Sequence, residues 1–531
     1  MSKTSKWFFY ATEFFAGMAV MAVELGASRL LAPYFSSSQI VWTIIIGTIM
    51  IAMALGNVFG GRWADKNSDP ARLYKRILIA AVWISFIPFL GRYVILGITG
   101  LLVVTVSTNL LIWAAFIACM VIFVFPLFLL GTVTPSLVKY TISDLGESGS
   151  VTGRLGAFNT VGSIIGTFLP TFVTIPAVGT AVTFLIFSGI LLLIGLIYFV
   201  RTKTKKVMTI VMTVLFILGS VLGNGVSFAF WENGLVYEGE SIYNYLQVKD
   251  TDKAVILSTN VLFGVQSMTM KSDTLTGMYY DYALAAPVMV GEEAPDVLIL
   301  GMGSGTYASQ LRKYYPEADI TGVEIDQKIT DLAYGYFGMP GDINVETYDG
   351  RAYLQADERK YDIIMVDAYQ DITIPFQMSS VEFFGLVRDH LKDDGVMVMN
   401  MNMHGRSEEV GEGRDITEYL TATVRTVFGN VETVDVPGTT NRELFASNGR
   451  DPMEALKSNK SLVGNWELRN LMNKVAARMT EAVDPGQAYV WTDDKAPVEL
   501  IGMRTIDLLI SDEVEYYREV FKEEGLEGIL S

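Results

Sequence analysis

The stretch from Asp296 to Asp326, DVLILGMGSGTYASQLRKYYPEADITGVEID, leaves a chain few ways to fold. Val297 to Leu300 form a short apolar run, as expected for a strand buried on both faces of a parallel sheet. Gly301, Gly303 and Gly305 follow directly. Glycine there lets the backbone turn sharply and lets a ligand approach the main chain. Thr306 to Tyr315 has helical spacing, and Pro316 stops it. Thr321 to Asp326 then make a second strand with an acidic end, where a carboxylate can accept both ribose hydroxyls of a nucleoside. A glycine triad alone would also fit a tight strand-to-helix turn with no ligand; the acid in register favours a nucleoside.

Two further stations extend the pattern. Asn344 to Tyr348 is strand-like and leads into Asp349-Gly350, and the buried strand Tyr361 to Val366 delivers Asp367. Three successive strands therefore place acids at their carboxyl ends: Glu324, Asp349 and Asp367. Ligands of open α/β sheets bind at those ends. The arrangement points to the adenosine of S-adenosylmethionine or of its decarboxylated form. A dinucleotide does not fit, because nothing marks a second mononucleotide half.

The rest of the chain is of another kind. Of 531 residues 51% are hydrophobic and 18% charged, too apolar for a purely soluble protein and too long for one domain. The apolar residues concentrate before residue 230. Segments near 7–31, 40–60, 77–96, 109–131, 155–176, 180–200 and 207–227 are each about long enough to span a bilayer, which predicts about seven helices. Gly97 to Ser107 is apolar but short, as in a re-entrant or surface piece. The first segment lacks a cleavage site and is followed by more spans, so it is not a cleavable signal peptide. The net charge of −17, with no basic stripe, argues against nucleic acid as a partner. A single cysteine, Cys119, precludes a disulfide or a cysteine metal site within one chain, and two histidines, His390 and His404, preclude a multi-histidine site. No metal is expected.

Charges inside the first apolar segment stand out. Glu13 and Glu24 lie eleven residues apart, close to three full turns, so they share one helical face, with Arg29 further along. Intramembrane ionisable residues are candidates for function. They fit either a structural pairing, with Arg29, Asn57 or Asn159 as partner, or a polar-substrate site. Gly56-x-x-x-Gly60 and Gly162-x-x-x-Gly166 fit close helix packing. Lysine and arginine cluster before the first helix, between the second and third, and after the sixth, which places the amino terminus in the cytoplasm. Seven spans would then put the following domain outside, whereas its cofactor supply lies inside. The chain thus reads as a multi-pass protein of the cell membrane. Cofactor supply favours the cytoplasmic face for its soluble part, and the Lys/Arg bias the opposite one.

From Trp231 the composition turns soluble. Ile242–Val248, Ala254–Ser258 and Val265–Met270 read as short strands, and Thr276–Val288 as a helix leading onward. The expected architecture is a multi-pass α-helical membrane domain (1–230), a small β-sheet domain with a linking helix (231–290), and an α/β Rossmann-like, methyltransferase-type domain (291–531).

In these features the chain resembles the spermidine synthase (polyamine aminopropyltransferase) family in a membrane-fused form. Glu240-Ser241-Ile242-Tyr243 is similar to the opening of that family's small β domain, and Gln266 matches its pocket glutamine. The glycine turn, Val323-Glu324-Ile325-Asp326, Asp349-Gly350 and Asp367 follow in family order. Thr492-Asp493-Asp494-Lys495-Ala496-Pro497-Val498-Glu499, with Glu24 and Arg29, resembles the membrane-fused branch. The resemblance implies transfer of an aminopropyl or related alkyl group from the sulfonium of decarboxylated S-adenosylmethionine, or of S-adenosylmethionine, to an amine or other nucleophile, releasing methylthioadenosine. It implies Asp367 as general base, Glu324 on the ribose and Asp349 on the adenine amino group. Gln266, Gly301, Gly303, Ser304, Gly305 and Gly350 join them in holding the donor. Tyr279, Tyr280, Asp281, Gln370 and Asp371 match the family's acceptor-side positions.

The departures are specific. Ser304 stands where the family has an aspartate for the donor's amine, Tyr280-Asp281 replaces His-Glu, and Gln370 replaces the second acid of Asp-x-x-Asp. They leave the acceptor open between a small-molecule amine and a membrane-presented nucleophile. Two other readings of the same residues are a methyltransferase using S-adenosylmethionine and a membrane transporter that senses a polyamine or nucleoside. The expected partners are the lipid bilayer, the acceptor and a second copy in a homodimer.

Overall fold

The computed structural model describes residues 3–105, 109–142, 145–225, 227–261, 265–272, 275–369, 374–402, 404, 416–484, 486 and 489–506. The chain divides into two compact units. One comprises residues 1–232 with the segments 238–245 and 260–262; the other comprises the remainder.

The first unit is helical: α1 (Lys3–Phe35), α2 (Gln39–Lys66), α3 (Pro70–Thr105), α4 (Leu110–Gly131), α5 (Val133–Thr141), α6 (Ser148–Leu169), α7 (Ile175–Thr202) and α8 (Lys206–Gly223). Among the described residues six helical stretches are long and apolar enough to cross a membrane, where the sequence predicts about seven. The difference lies in Ser148–Thr202, one stretch that covers the fifth and sixth expected segments. It bends at a π-helical turn (Pro170–Thr174) and breaks at Gly179, whose φ of +80° no helix accommodates. Its two arms run in opposite senses along α1. On α6, β-carbons added at Gly162 and Gly166 would meet the carbonyl oxygens of Phe14 and Met18 at 1.9 and 2.1 Å. On α7, Phe184 lies against Gly26, and Phe187 packs with Met18. Residues 97–105, expected as a separate short piece, simply continue α3, since no breaker separates them from Pro70–Gly97.

Glu13 is buried against Thr134 (2.5 Å) and Asn159 (2.9 Å), both donating to its Oε1. That is the structural alternative for this residue. Arg29 donates instead to the carbonyls of Ser241 and Ile242. Glu24, three turns further along the same face, is half-buried.

Strands β1 (Leu235–Glu240), β2 (Tyr245–Asp250), β3 (Ala254–Ser258) and β4 (Ser267–Met270) form a sheet in that order, with β2–β3 and β3–β4 antiparallel. The expected helix over 276–288 is two short ones, α9 (Tyr279–Ala283) and α10 (Ala285–Val290). It starts late because Asp281 draws residues 276 and 277 into a turn by accepting their backbone N–H groups.

The α/β region then alternates in chain order. Its elements are β5 (Asp296–Leu300), α11 (Thr306–Tyr314), β6 (Asp319–Glu324), α12 (Gln327–Tyr336), β7 (Asn344–Thr347), α13 (Gly350–Ala356), β8 (Tyr361–Val366), α14 (Val381–Asp389), β9 (Leu391–Met401), α15 (Ile416–Arg425), β10 (Asn430–Asp435), β11 (Arg442–Ser447), α16 (Pro452–Asn459), α17 (Trp466–Arg478) and β12 (Thr480–Glu481). The eight-stranded sheet runs β12-β10-β11-β9-β8-β5-β6-β7. The five strands from β9 to β7 in that order are parallel, and β11, β10 and β12 add antiparallel pairs. Both faces of β5 are covered. Val297 and Ile299 join the core formed with α10, α16 and α17, and Leu298 and Leu300, facing the other way, are equally buried. At the amino end of the sheet Lys392 spans Asp296 (2.5 Å) and Asp362 (2.8 Å), tying β9 to β5 and β8. The carboxyl end is left for chemistry.

Candidate active site

Strand order reverses between β5 and β8, because β6 and β7 add to one side of β5 and β8 and β9 to the other. Connections leaving such a switch point diverge and open a crevice at the carboxyl ends of the strands. Gly301 and Asp367 flank it. Gly301 has φ +88°, and a β-carbon on it would lie 2.5 Å from the carbonyl oxygen of Asp367 and 2.6 Å from Cα of Ala368. Only glycine lets the two loops meet. Gly305 is constrained by its φ of +77°, and a β-carbon there would also press on the Met339 side chain, 2.5 Å from its sulfur.

Glu324 ends β6 beneath the glycine turn. Gly303 N–H donates to its Oε2 at 2.9 Å and Asp326 N–H to its Oε1 at 3.1 Å. Burial pushes its carboxyl up to about 7, with those amides pulling the other way. Asp349 follows β7 and caps α13, accepting from Ala352 N–H at 2.8 Å, and Gly350 is the first residue of that helix. Arg351 on the same helix grips Asp493 in a two-pronged pair at 2.7 and 2.6 Å. Asp493 also takes the hydroxyl of Ser380 at 2.5 Å, so the acidic turn near 492–499 anchors α13 and the start of α14.

Asp367 has two dedicated partners. The Tyr279 hydroxyl donates to its Oδ2 at 2.6 Å, and the Asn400 amide donates to its Oδ1 at 2.9 Å. Asn400 Oδ1 in turn accepts from Asn441 at 2.9 Å. Tyr369 locks the loop after β8 onto the end of β9, donating to the Asn400 carbonyl at 2.6 Å and accepting from Asn402 N–H at 2.9 Å. The Asp367 side chain is only half-buried, yet the protein packed around it pushes its carboxyl up to about 7. Desolvation dominates, the Tyr279 and Asn400 hydrogen bonds oppose it, and the Glu324 charge adds to it.

Several residues expected to face ligands are otherwise engaged. Ser304 is buried, with its hydroxyl 2.6 Å from Ser267 Oγ and 3.0 Å from Thr306 Oγ1. The hydroxyl at the position of the family's aspartate is thus engaged with Ser267 and Thr306. Asp281 accepts from Thr276 N–H and hydroxyl and the Gln310 amide at Oδ1, at 3.1, 2.9 and 2.7 Å, and from Gly277 N–H at Oδ2, at 2.7 Å. It builds the turn before α9. Tyr280 is buried with its hydroxyl on the Gln266 carbonyl at 3.1 Å; its ring packs against Tyr279 at a tilt of 40°, centroids 4.0 Å apart. Gln266 itself is half-buried beside β4. Gln370 and Asp371 lie outside the described residues. The sequence reading missed Asn400, Asn441 and Glu443. Asn400 carried a signal, as a polar residue closing the apolar run Val396–Met399 at the same sheet end as Asp367.

A largely parallel sheet with a glycine turn at its switch point and acids following β6, β7 and β8 defines a Rossmann-like, methyltransferase-type domain. The spermine/spermidine synthase domain family matches residues 278–441 of it. A probable polyamine aminopropyl transferase of Bifidobacterium longum is 54% identical over 351 residues, covering 63% of this chain and 77% of that protein. The polyamine aminopropyltransferase of Vibrio vulnificus is 26% identical over 219 residues, covering 40% of this chain and 70% of its own. Among solved structures, a probable spermidine synthase from Corynebacterium glutamicum aligns at 17% identity with a TM-score of 0.35, over 48% of this chain and 99% of its own, too slight a likeness to add to the assignment. The chain belongs to the polyamine aminopropyltransferase family, and it is an enzyme of that transferase type.

Proposed function

We propose that this chain transfers an aminopropyl group from decarboxylated S-adenosylmethionine to an amine and releases methylthioadenosine, with its helical unit embedded in a membrane. The observation that carries the reading is Asp367: a carboxyl poised near neutrality, held by Tyr279 and Asn400, at the switch point beside Glu324 and Asp349. In the transfer the amine lone pair attacks the propyl carbon bonded to sulfur. The carbon–sulfur bond breaks with its electrons going to sulfur, and the nitrogen loses a proton to Asp367. The sulfonium is already a good leaving group, so the protein acts by positioning and by deprotonating the amine. Glu324 would accept the ribose hydroxyls, exchanging its bonds to backbone amides for stronger ones to the ligand, and Asp349 would take the adenine amino group. Tyr279 keeps the Asp367 carboxylate aimed into the crevice.

Incubating the purified protein with each donor and an amine, and identifying nucleoside products by mass, tests the reading. Methylthioadenosine supports it. S-adenosylhomocysteine would make the chain a methyltransferase on the same fold, and donor binding without turnover would make it a sensor.

A further inference from the structure

Glu443 lies on β11, directly opposite Asn400 of β9 in the antiparallel register. Residues so paired project from the same face of a sheet, about 5 Å apart at their β-carbons. Asn400 passes its amide to Asp367, so Glu443 stands one side chain deeper on the ligand end of the sheet. It is wholly buried, and neither carboxylate oxygen has a hydrogen-bond partner. Burial first, and then the nearby charge of Asp367, raise its carboxyl well above the ordinary range.

Such a group is costly to keep. An acid buried without partners destabilises a fold that a leucine or phenylalanine would stabilise at the same place. A ligand that delivers a positive charge removes the cost, and a short low-dielectric contact makes that pairing strong. The other acceptor-side acid among the described residues, Asp281, is already held in its own turn by four hydrogen bonds, whereas Glu443 has none.

We propose that Glu443 is the specificity-determining residue for the acceptor, receiving the remote ammonium of a short diamine whose other nitrogen is held for reaction at Asp367. The assignment rests on the transferase reading above. Asp367, bonded to Asn400, and Glu443, paired with Asn400 across the strands, then form a pair of carboxylates, a charge pattern that a dication matches and a monoamine does not. Asn400, between them, orients the first.

Initial rates with decarboxylated S-adenosylmethionine, comparing 1,4-diaminobutane with n-butylamine, test this on the full chain. Glu443→Gln keeps the shape and removes the charge. It should raise KM for the diamine about ten- to a hundredfold, leave kcat within a few-fold, and leave butylamine kinetics unchanged. An unchanged diamine KM, or equal losses with both amines, overturns the proposal. Methylthioadenosine affinity checks that the variant is folded; should it not fold, Glu443→Asp retains the charge one methylene short and should show the same contrast in weaker form. If the unaltered chain releases no methylthioadenosine with either amine, the transferase reading fails on its own. Calorimetry of the two amines on protein loaded with methylthioadenosine then decides the Glu443 assignment, since a preference for the diamine that Glu443→Gln abolishes supports it and the lack of one refutes it.

Discussion

Tyr279 donates its hydroxyl to Asp367 at 2.6 Å, joining the first turn of α9 to the end of β8 across 88 residues of chain. The bond lowers the proton affinity of a carboxyl that its surroundings raise. Asp367 can therefore bind a proton near neutrality and release it again, as a general base must.

Asp367→Asn should cut turnover by about a hundredfold or more while leaving donor affinity nearly intact. General-base help is typically worth ~10²–10⁴ in rate, and the amide keeps shape and most hydrogen bonds. Single-turnover rates alongside calorimetric donor affinity check it; normal turnover at neutral pH would remove Asp367 from the mechanism.

Tyr279→Phe should shift the pH profile. With Asp367 near 7, kcat/KM rises with pH through about 7 as the base form appears. Losing the Tyr279 hydrogen bond removes an influence that lowers that value, so the midpoint should move upward and activity should fall at pH 7 and recover at pH 9. A profile unmoved by the substitution would mean that the bond does not tune the base.

Stability should respond to Asp367→Asn in the opposite sense to activity. A carboxyl raised from 3.8 to about 7 on folding binds more protons folded than unfolded between those values, so it lowers stability as pH climbs through that window. The Asn variant should be more stable than the parent at pH 8, by on the order of 1–2 kcal/mol after allowing for partial exposure, with the gain vanishing near pH 4. Thermal unfolding at the two pH values is the measurement.

Glu324→Ala should weaken nucleoside binding by about ten- to a hundredfold, the loss of a charge-assisted hydrogen bond worth ~1.5–3 kcal/mol. Calorimetry with methylthioadenosine reads it directly, and unchanged affinity would sink the ribose assignment.

Gly166→Leu should disrupt the helical unit. Its β-carbon would lie 2.1 Å from the Met18 carbonyl oxygen, a backbone contact that no side-chain rotation relieves. Folded yield and melting temperature should both fall sharply, whereas leucine at Gly153, with open space around it, should be tolerated.

Sequence by itself determined the order of elements, the apolar and soluble halves, and the three acids at Glu324, Asp349 and Asp367. Those signals are local: a period of two, a glycine turn and an acid after an apolar run are carried by neighbouring residues whatever the rest of the chain does. Tertiary structure alone decided which polar groups remain available. The turn that holds Asp281 and the contact of Ser304 with Ser267 of β4 exist only in the fold. The break at Gly179 is likewise visible only in the backbone, since glycine in an apolar run reads equally as helix. Glu443 owes its place to β11, which returns antiparallel along β9 and sets it opposite Asn400, a residue 43 positions earlier. Convergence of that kind depends on strand pairing and on what is buried around it, and no window of sequence contains both.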